Sequence, residues 1–131
     1  MKVFIIEATR SPLGSFLGSL SQTPAPQILA QLIKNLNLSE EIRKNINEAY
    51  FGHVLSANVG QAPAKQALLY AGLSPKIPAT SINKVCASGL KATALGAMSI
   101  SSGINDLVLV GGMENMSLAP YYASQLRKGK K

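Results

Sequence analysis

Short apolar runs alternate along this chain with longer stretches of helical spacing. Val3, Phe4, Ile5 and Ile6 make a β-branched and aromatic run, the pattern of a strand buried on both faces. Residues 11–26 are rich in Gly, Ser and Pro and read as a loop. Ile28, Leu29, Leu32, Ile33 and Leu36 recur at the spacing of an amphipathic helix over 27–37, and Pro26 suits its first turn. Ser39 ahead of Glu40 and Glu41 is an N-cap followed by first-turn acids, which predicts a short helix over 40–45. The pattern then predicts a strand over 49–55, a helix over 62–71 stopped by Gly72, a strand over 79–84, a helix over 86–102 closed by Gly103, and a strand over 107–110. Strands alternating with helices predict an α/β fold with a mostly parallel sheet and helices on both faces.

The helix over 86–102 changes this picture. Lys91 is the only charge in residues 87–103, so the helix is expected to be buried nearly all round. One sheet covers one side only, and 131 residues make one domain with a modest core. Only 15% of the residues are charged against 47% hydrophobic, a low charge content for a small free-standing domain. Part of the surface is therefore expected to be covered by something else.

The net charge of +7 raises the question of nucleic acid. Arg127, Lys128, Lys130 and Lys131 crowd the last five positions, and the other basic residues are scattered without interleaved aromatics. That distribution argues against nucleic acid as a partner. No segment approaches the roughly 18 apolar residues of a membrane span. The run over 3–6 is too short for a signal peptide and is interrupted by Glu7. With a single cysteine there is no internal disulfide, and the cytoplasm is the expected compartment.

That cysteine is the candidate chemistry. Cys86 stands between the strand over 79–84 and the long apolar helix, in Asn83-Lys84-Val85-Cys86-Ala87-Ser88-Gly89-Leu90-Lys91-Ala92. The pattern puts it at or near a helix N-terminus, where unpaired N–H groups and the helix dipole favour negative charge. Such sites activate a cysteine as a nucleophile. A free cysteine can equally serve as a small buried hydrophobe. The spacing leaves both readings open.

The wording of the segment resembles the nucleophile segment of the thiolases. Three more stretches resemble that family, in order. Glu7-Ala8-Thr9-Arg10-Ser11-Pro12-Leu13-Gly14-Ser15-Phe16 is similar to its first strand and Arg-Thr-Pro turn, with Ser11 for threonine. Phe51-Gly52-His53-Val54-Leu55, followed by Gly60-Gln61-Ala62-Pro63-Ala64-Lys65-Gln66-Ala67, is similar to its second strand and next helix entry. Gly111-Gly112-Met113-Glu114-Asn115-Met116-Ser117 is similar to its Gly-Gly-Met-Glu-Ser-Met-Ser segment, with Asn115 as the departure. The resemblance runs over residues 2–122.

The resemblance implies a thiolase-like N-terminal half, incomplete relative to the five-layered α-β-α-β-α body of the family. Residues 1–118 would form the partial N-terminal α/β domain, and 119–131 the start of the CoA-binding loop region with a basic tail. It implies Cys86 as the catalytic nucleophile and carrier of an acyl thioester. The substrates would be acetyl-CoA and other acyl-CoA thioesters, with no permanently bound cofactor and no metal. The family's histidine base lies in Gly-His-Pro, its second cysteine in Cys-x-Gly-Gly-Gly and its asparagine in Asn-Glu-Ala. None of these matches a position here, so the chain is expected to be inactive alone. His53 reads as structural, and Glu114 as a buried acid bonding backbone N–H groups. The partners implied are a C-terminal thiolase half and a second copy in a full-length homo-oligomer. Two other readings stand beside this one: an inert remnant or assembly partner, and a ketoacyl-synthase-like condensing enzyme.

Overall fold

The computed structural model describes residues 2–129. Helix α1 spans Ala25–Asn35 and α2 Glu40–Lys44; strand β1 is Glu48–Gly52, α3 Pro63–Tyr70, β2 Ala79–Ile82, α4 Ser88–Ser101 and β3 Val108–Gly112. Two short 3₁₀ helices follow, Met116–Leu118 and Ser124–Lys128. The sheet has the order β2-β1-β3 and is parallel throughout, with Ala49 opposite both Ala79 and Leu109. The predicted α/β architecture is therefore present, built around β1 as the central strand.

Alternation along β1 assigns the two faces. Ala49 and Phe51 are fully buried in a core with Leu29 and Ile33 of α1, Ala64, Ala67 and Leu68 of α3, and Ile46 and Ile77 from the connections. Gly52 turns the other way, against the first turn of α4. Farther along, α4 passes over β3 so closely that a Cβ on Gly96 would meet Val110 Cγ1 at 2.5 Å and Val108 Cγ2 at 2.9 Å. Helices thus lie on both faces, as expected. At Tyr50, burial first and the neighbouring Glu48 second push the phenol above its ordinary value of 10.

Local signals behave as their chemistry dictates. Ser39 caps α2 by accepting the Ile42 N–H at 3.2 Å. Arg43 on α2 reaches back to the end of α1, where its guanidinium donates to the carbonyls of Ile33, Lys34, Leu36 and Leu38. These carbonyls include ones that the helix end leaves without an internal partner, and nothing in the apolar pattern points to Arg43 for the task.

Two expectations are corrected. The run Val3 to Ile6 is not a strand, and Phe4 and Ile5 are 73% and 81% exposed. Residues 2–9 lie along an apolar groove of about 560 Å³ whose other walls are α1, α4 and β3. A strand is defined by a neighbour's backbone at about 4.8 Å, and across this groove the run has none. Second, α4 is not buried nearly all round. Ala92, Gly96 and Ser99 face the sheet, while Leu90 and Met98 are 76% and 61% exposed. The sheet covers one side of this apolar helix, and nothing among the described residues covers the other.

Candidate functional site

The three strands end together, at Gly52, Ile82 and Gly112. In open parallel α/β sheets, ligands bind in the crevice beyond the carboxyl ends of the strands. Here a cavity of about 920 Å³ opens at that edge, walled by residues 9–16, 52–55, 85–86, 88–89 and 112–117. Its size falls within the range of small-molecule sites.

Cys86 lines this cavity and is exposed, which rules out the buried-hydrophobe reading. The helix itself starts two residues later than expected: α4 begins at Ser88, with Ala87 as the N-cap, so Cys86 lies near the helix N-terminus but just ahead of it. The cause is Val85, which has φ +50°. A β-branched residue in the left-handed region is an outlier, and such strain persists only where the surroundings over-determine it. They do so here. The Val85 N–H donates to Asn83 Oδ1 at 3.0 Å. The Val85 carbonyl accepts from both the backbone N–H and the hydroxyl of Ser88, at 3.1 and 2.6 Å. Ser88 Oγ also accepts the Lys84 N–H at 2.8 Å. This strained turn presents the thiol at the cavity mouth.

Three glycines set the turn against the sheet. A Cβ on Gly52 would fall 2.4 Å from the Gly89 backbone nitrogen, and one on Gly112 would fall 3.4 Å from Gly89 Cα. Backbone therefore packs on backbone where the helix start crosses the strand ends.

The wall opposite is tied by Glu114 and Asn115. Glu114 accepts the N–H of Val54 at 2.9 Å and that of Leu55 at 3.3 Å, as expected of a structural acid, but its side chain is 31% exposed and so is not buried. The open cavity beside it leaves one flank uncovered. His53 lies beside it, buried, with Nε2 3.3 Å from Glu114 Oε1. Asn115 Nδ2 donates to the carbonyls of Leu20, Ser21 and Thr23, and Asn115 Oδ1 accepts the Ser117 N–H. The Leu17 N–H donates to Ser117 Oγ. The loop over 11–23 is thereby fastened to the segment after β3, which closes that side of the cavity. Among the described residues, no three His, Cys, Asp or Glu side chains cluster as metal ligands do.

Sequence reasoning singled out Cys86 and Glu114 but missed Asn83, Ser88 and the clamp made by Asn115. A signal existed for the first pair: Asn two residues before, and Ser three residues after, a turn residue are recurrent side-chain-to-backbone partners. Ser88→Ala removes both hydroxyl bonds at a buried position. It is expected to lower unfolding free energy by about 2 kcal/mol, read by urea denaturation, and to slow alkylation of Cys86 as the turn loosens.

Residues 3–131 match the family described as Thiolase, N-terminal domain. Acetyl-CoA acetyltransferase 2 of Arabidopsis thaliana is 47% identical over 133 residues, which cover 98% of this chain and 32% of that protein. A cytosolic acetyl-CoA acetyltransferase of Gibberella zeae is 48% identical over 98% of this chain and 33% of its own length. A mitochondrial one from the same organism is 48% identical over 93% and 29%. The chain spans about a third of the length of the relatives it matches.

Proposed function

The chain belongs to the thiolase family through its N-terminal domain, and from that premise we propose that it carries the nucleophile of an acetyl-CoA acetyltransferase. The observation that carries the proposal is the strained turn at Val85, which holds an exposed Cys86 at the mouth of a cavity beyond the strand ends.

In the proposed reaction, Cys86 Sγ attacks the carbonyl carbon of an acetyl-CoA thioester. The bond to the CoA sulfur breaks, and CoA leaves as a thiolate that takes up a proton. The acetyl group now rests on Cys86. A second acetyl-CoA loses a proton from its methyl carbon, and that carbon attacks the Cys86 thioester. Acetoacetyl-CoA forms and the Cys86 thiolate is released. Thiolysis runs the same steps in reverse. These 131 residues supply the nucleophile and its support. The groups that move the protons belong, by family resemblance, to a C-terminal half, with which residues 119–131 would begin the CoA-binding region. Assembly of two complete copies and a cytoplasmic location are part of the same proposal. For location, one matching relative is named cytosolic and another mitochondrial, so import into mitochondria is the alternative. Among the described residues, no helix is long and apolar enough to cross a membrane.

Iodoacetamide tests the nucleophile directly. At pH 7 the folded chain is expected to alkylate at Cys86 at least about tenfold faster than the same chain in denaturant, as positioned catalytic thiols do. Equal or slower reaction in the folded state would overturn the proposal.

A further inference from the structure

His53 is the single histidine of the chain, and its environment is unusual. It follows Gly52 at the exit of β1, where its backbone N–H donates to the Ile82 carbonyl at 2.9 Å. Its side chain is 1% exposed. Nε2 lies 3.3 Å from Glu114 Oε1 but is misaligned for a hydrogen bond, and neither ring nitrogen has a hydrogen-bond partner among the described residues. Buried polar side-chain atoms are overwhelmingly paired, and leaving one unpaired is costly. An orphaned imidazole in an ordinary core would be a defect. This one lines the same cavity as Cys86, and the residue before it touches the first turn of α4.

Glu114 anchors the pair. Its carboxylate accepts the N–H groups of Val54 and Leu55, the two residues after His53. One side of the ring is thus set against a fixed acid, and Nδ1 is left over. We infer that His53 is a hydrogen-bonding residue of the Cys86 cavity, its Nδ1 completing its bonding with an oxygen that enters with the substrate. That oxygen is either the carbonyl of the acyl group on Cys86 or a water ordered beside it. The inference rests on the acyl-carrier role proposed for Cys86 and adds to it a second polar group in the site. The sequence alone gave His53 a structural role, and its burial fits that; the unpaired nitrogens and the shared cavity do not.

Because the chain has one histidine, its imidazole ¹⁵N resonances need no assignment among alternatives. Cys86 is exposed, so excess reagent labels it fully whether or not it is activated. Two labels separate the sources of the oxygen. Carbamidomethylation brings a carbonyl oxygen into the cavity, and S-methylthiolation brings none. The expected result is a shift of the His53 ring nitrogens on carbamidomethylation. A shift with both labels assigns the oxygen to water, and a shift with the first alone assigns it to the acyl-like carbonyl. Unmoved resonances with both labels would overturn the inference. The alkylation rate of the unlabelled chain tests the nucleophile independently, so failure of one is distinguishable from failure of the other. As a second measurement, His53→Gln retains a polar atom and is expected to alkylate within about twofold of the parent, whereas His53→Leu is expected to be slower by about tenfold, in line with leaving the Glu114 carboxylate beside an apolar group. Equal rates for the two variants would also count against the inference. If His53→Leu fails to fold, the resonance experiment on the parent chain still decides.

Discussion

Gly52→Ala should abolish the cooperative unfolding transition of the chain. The added methyl would lie 2.4 Å from the Gly89 nitrogen, 2.5 Å from the Ser88 carbonyl carbon and 2.8 Å from Ser88 Cβ. Two of these atoms are backbone, and a helix start cannot rotate away as a side-chain tip can. Either α4 lifts from the sheet or β1 moves out of register with both neighbours. Overpacking commonly costs 1–3 kcal/mol where side chains can adjust, and more is expected here because they cannot. Small domains have only about 5–15 kcal/mol in total. Gly111→Ala is the control: its new Cβ would meet only the Phe51 ring, at 3.6 Å, an ordinary contact. Thermal melts by circular dichroism should show a flattened transition for the first variant and a parent-like one for the second. A parent-like melt for Gly52→Ala would mean that the crossing of strand and helix is looser than described.

The second large effect is catalytic. The 131-residue chain alone should turn over acetoacetyl-CoA and CoA at roughly 10² to 10⁴ below a typical enzyme, because loss of a general acid or base costs about that much. Against a median kcat of about 10 s⁻¹, the expected rate is roughly 0.1 to 0.001 s⁻¹ or less. The reaction must move one proton at sulfur and another at carbon. The chain has one cysteine, which is the proposed nucleophile, and one histidine, whose ring is buried beside Glu114. Glu114 is itself committed to the N–H groups of Val54 and Leu55. A spectrophotometric thiolysis assay on the purified chain checks this. Enzyme-like rates that vanish in Cys86→Ala would show that the proton-handling groups lie within these residues. Restoration by a C-terminal thiolase half added in trans would identify the chain as a component, and no restoration would favour an inert remnant.

Much of this arrangement was legible in the residues. Strand and helix alternation, the cap at Ser39, the start of α3 within one residue of the expected 62 and the placement of Cys86 after a strand all follow from short-range chemistry. The failures have physical causes of another kind. Val3 to Ile6 carries every local mark of a strand, but pairing depends on a neighbour, and composition does not report whether one is within reach. The helix start at Ser88 was missed because no periodicity announces a valine with positive φ. That conformation is imposed by Asn83 and Ser88 together. The clamp made by Asn115 joins residues more than ninety positions apart, which no window on the chain can see.

The central position of β1 has a further meaning for how the chain is made. Its partners arrive late: Ala79, opposite Ala49, is thirty residues downstream, and Val108, opposite Glu48, is sixty. Parallel pairings over such separations form slowly and leave edges open meanwhile. During synthesis, Phe51 and its neighbours emerge from the ribosome well before either flanking strand exists. Only α1 and then α3 can shelter them at that stage. The segment carrying Cys86 is therefore shaped last, when β3 follows and Gly112 closes against Gly89.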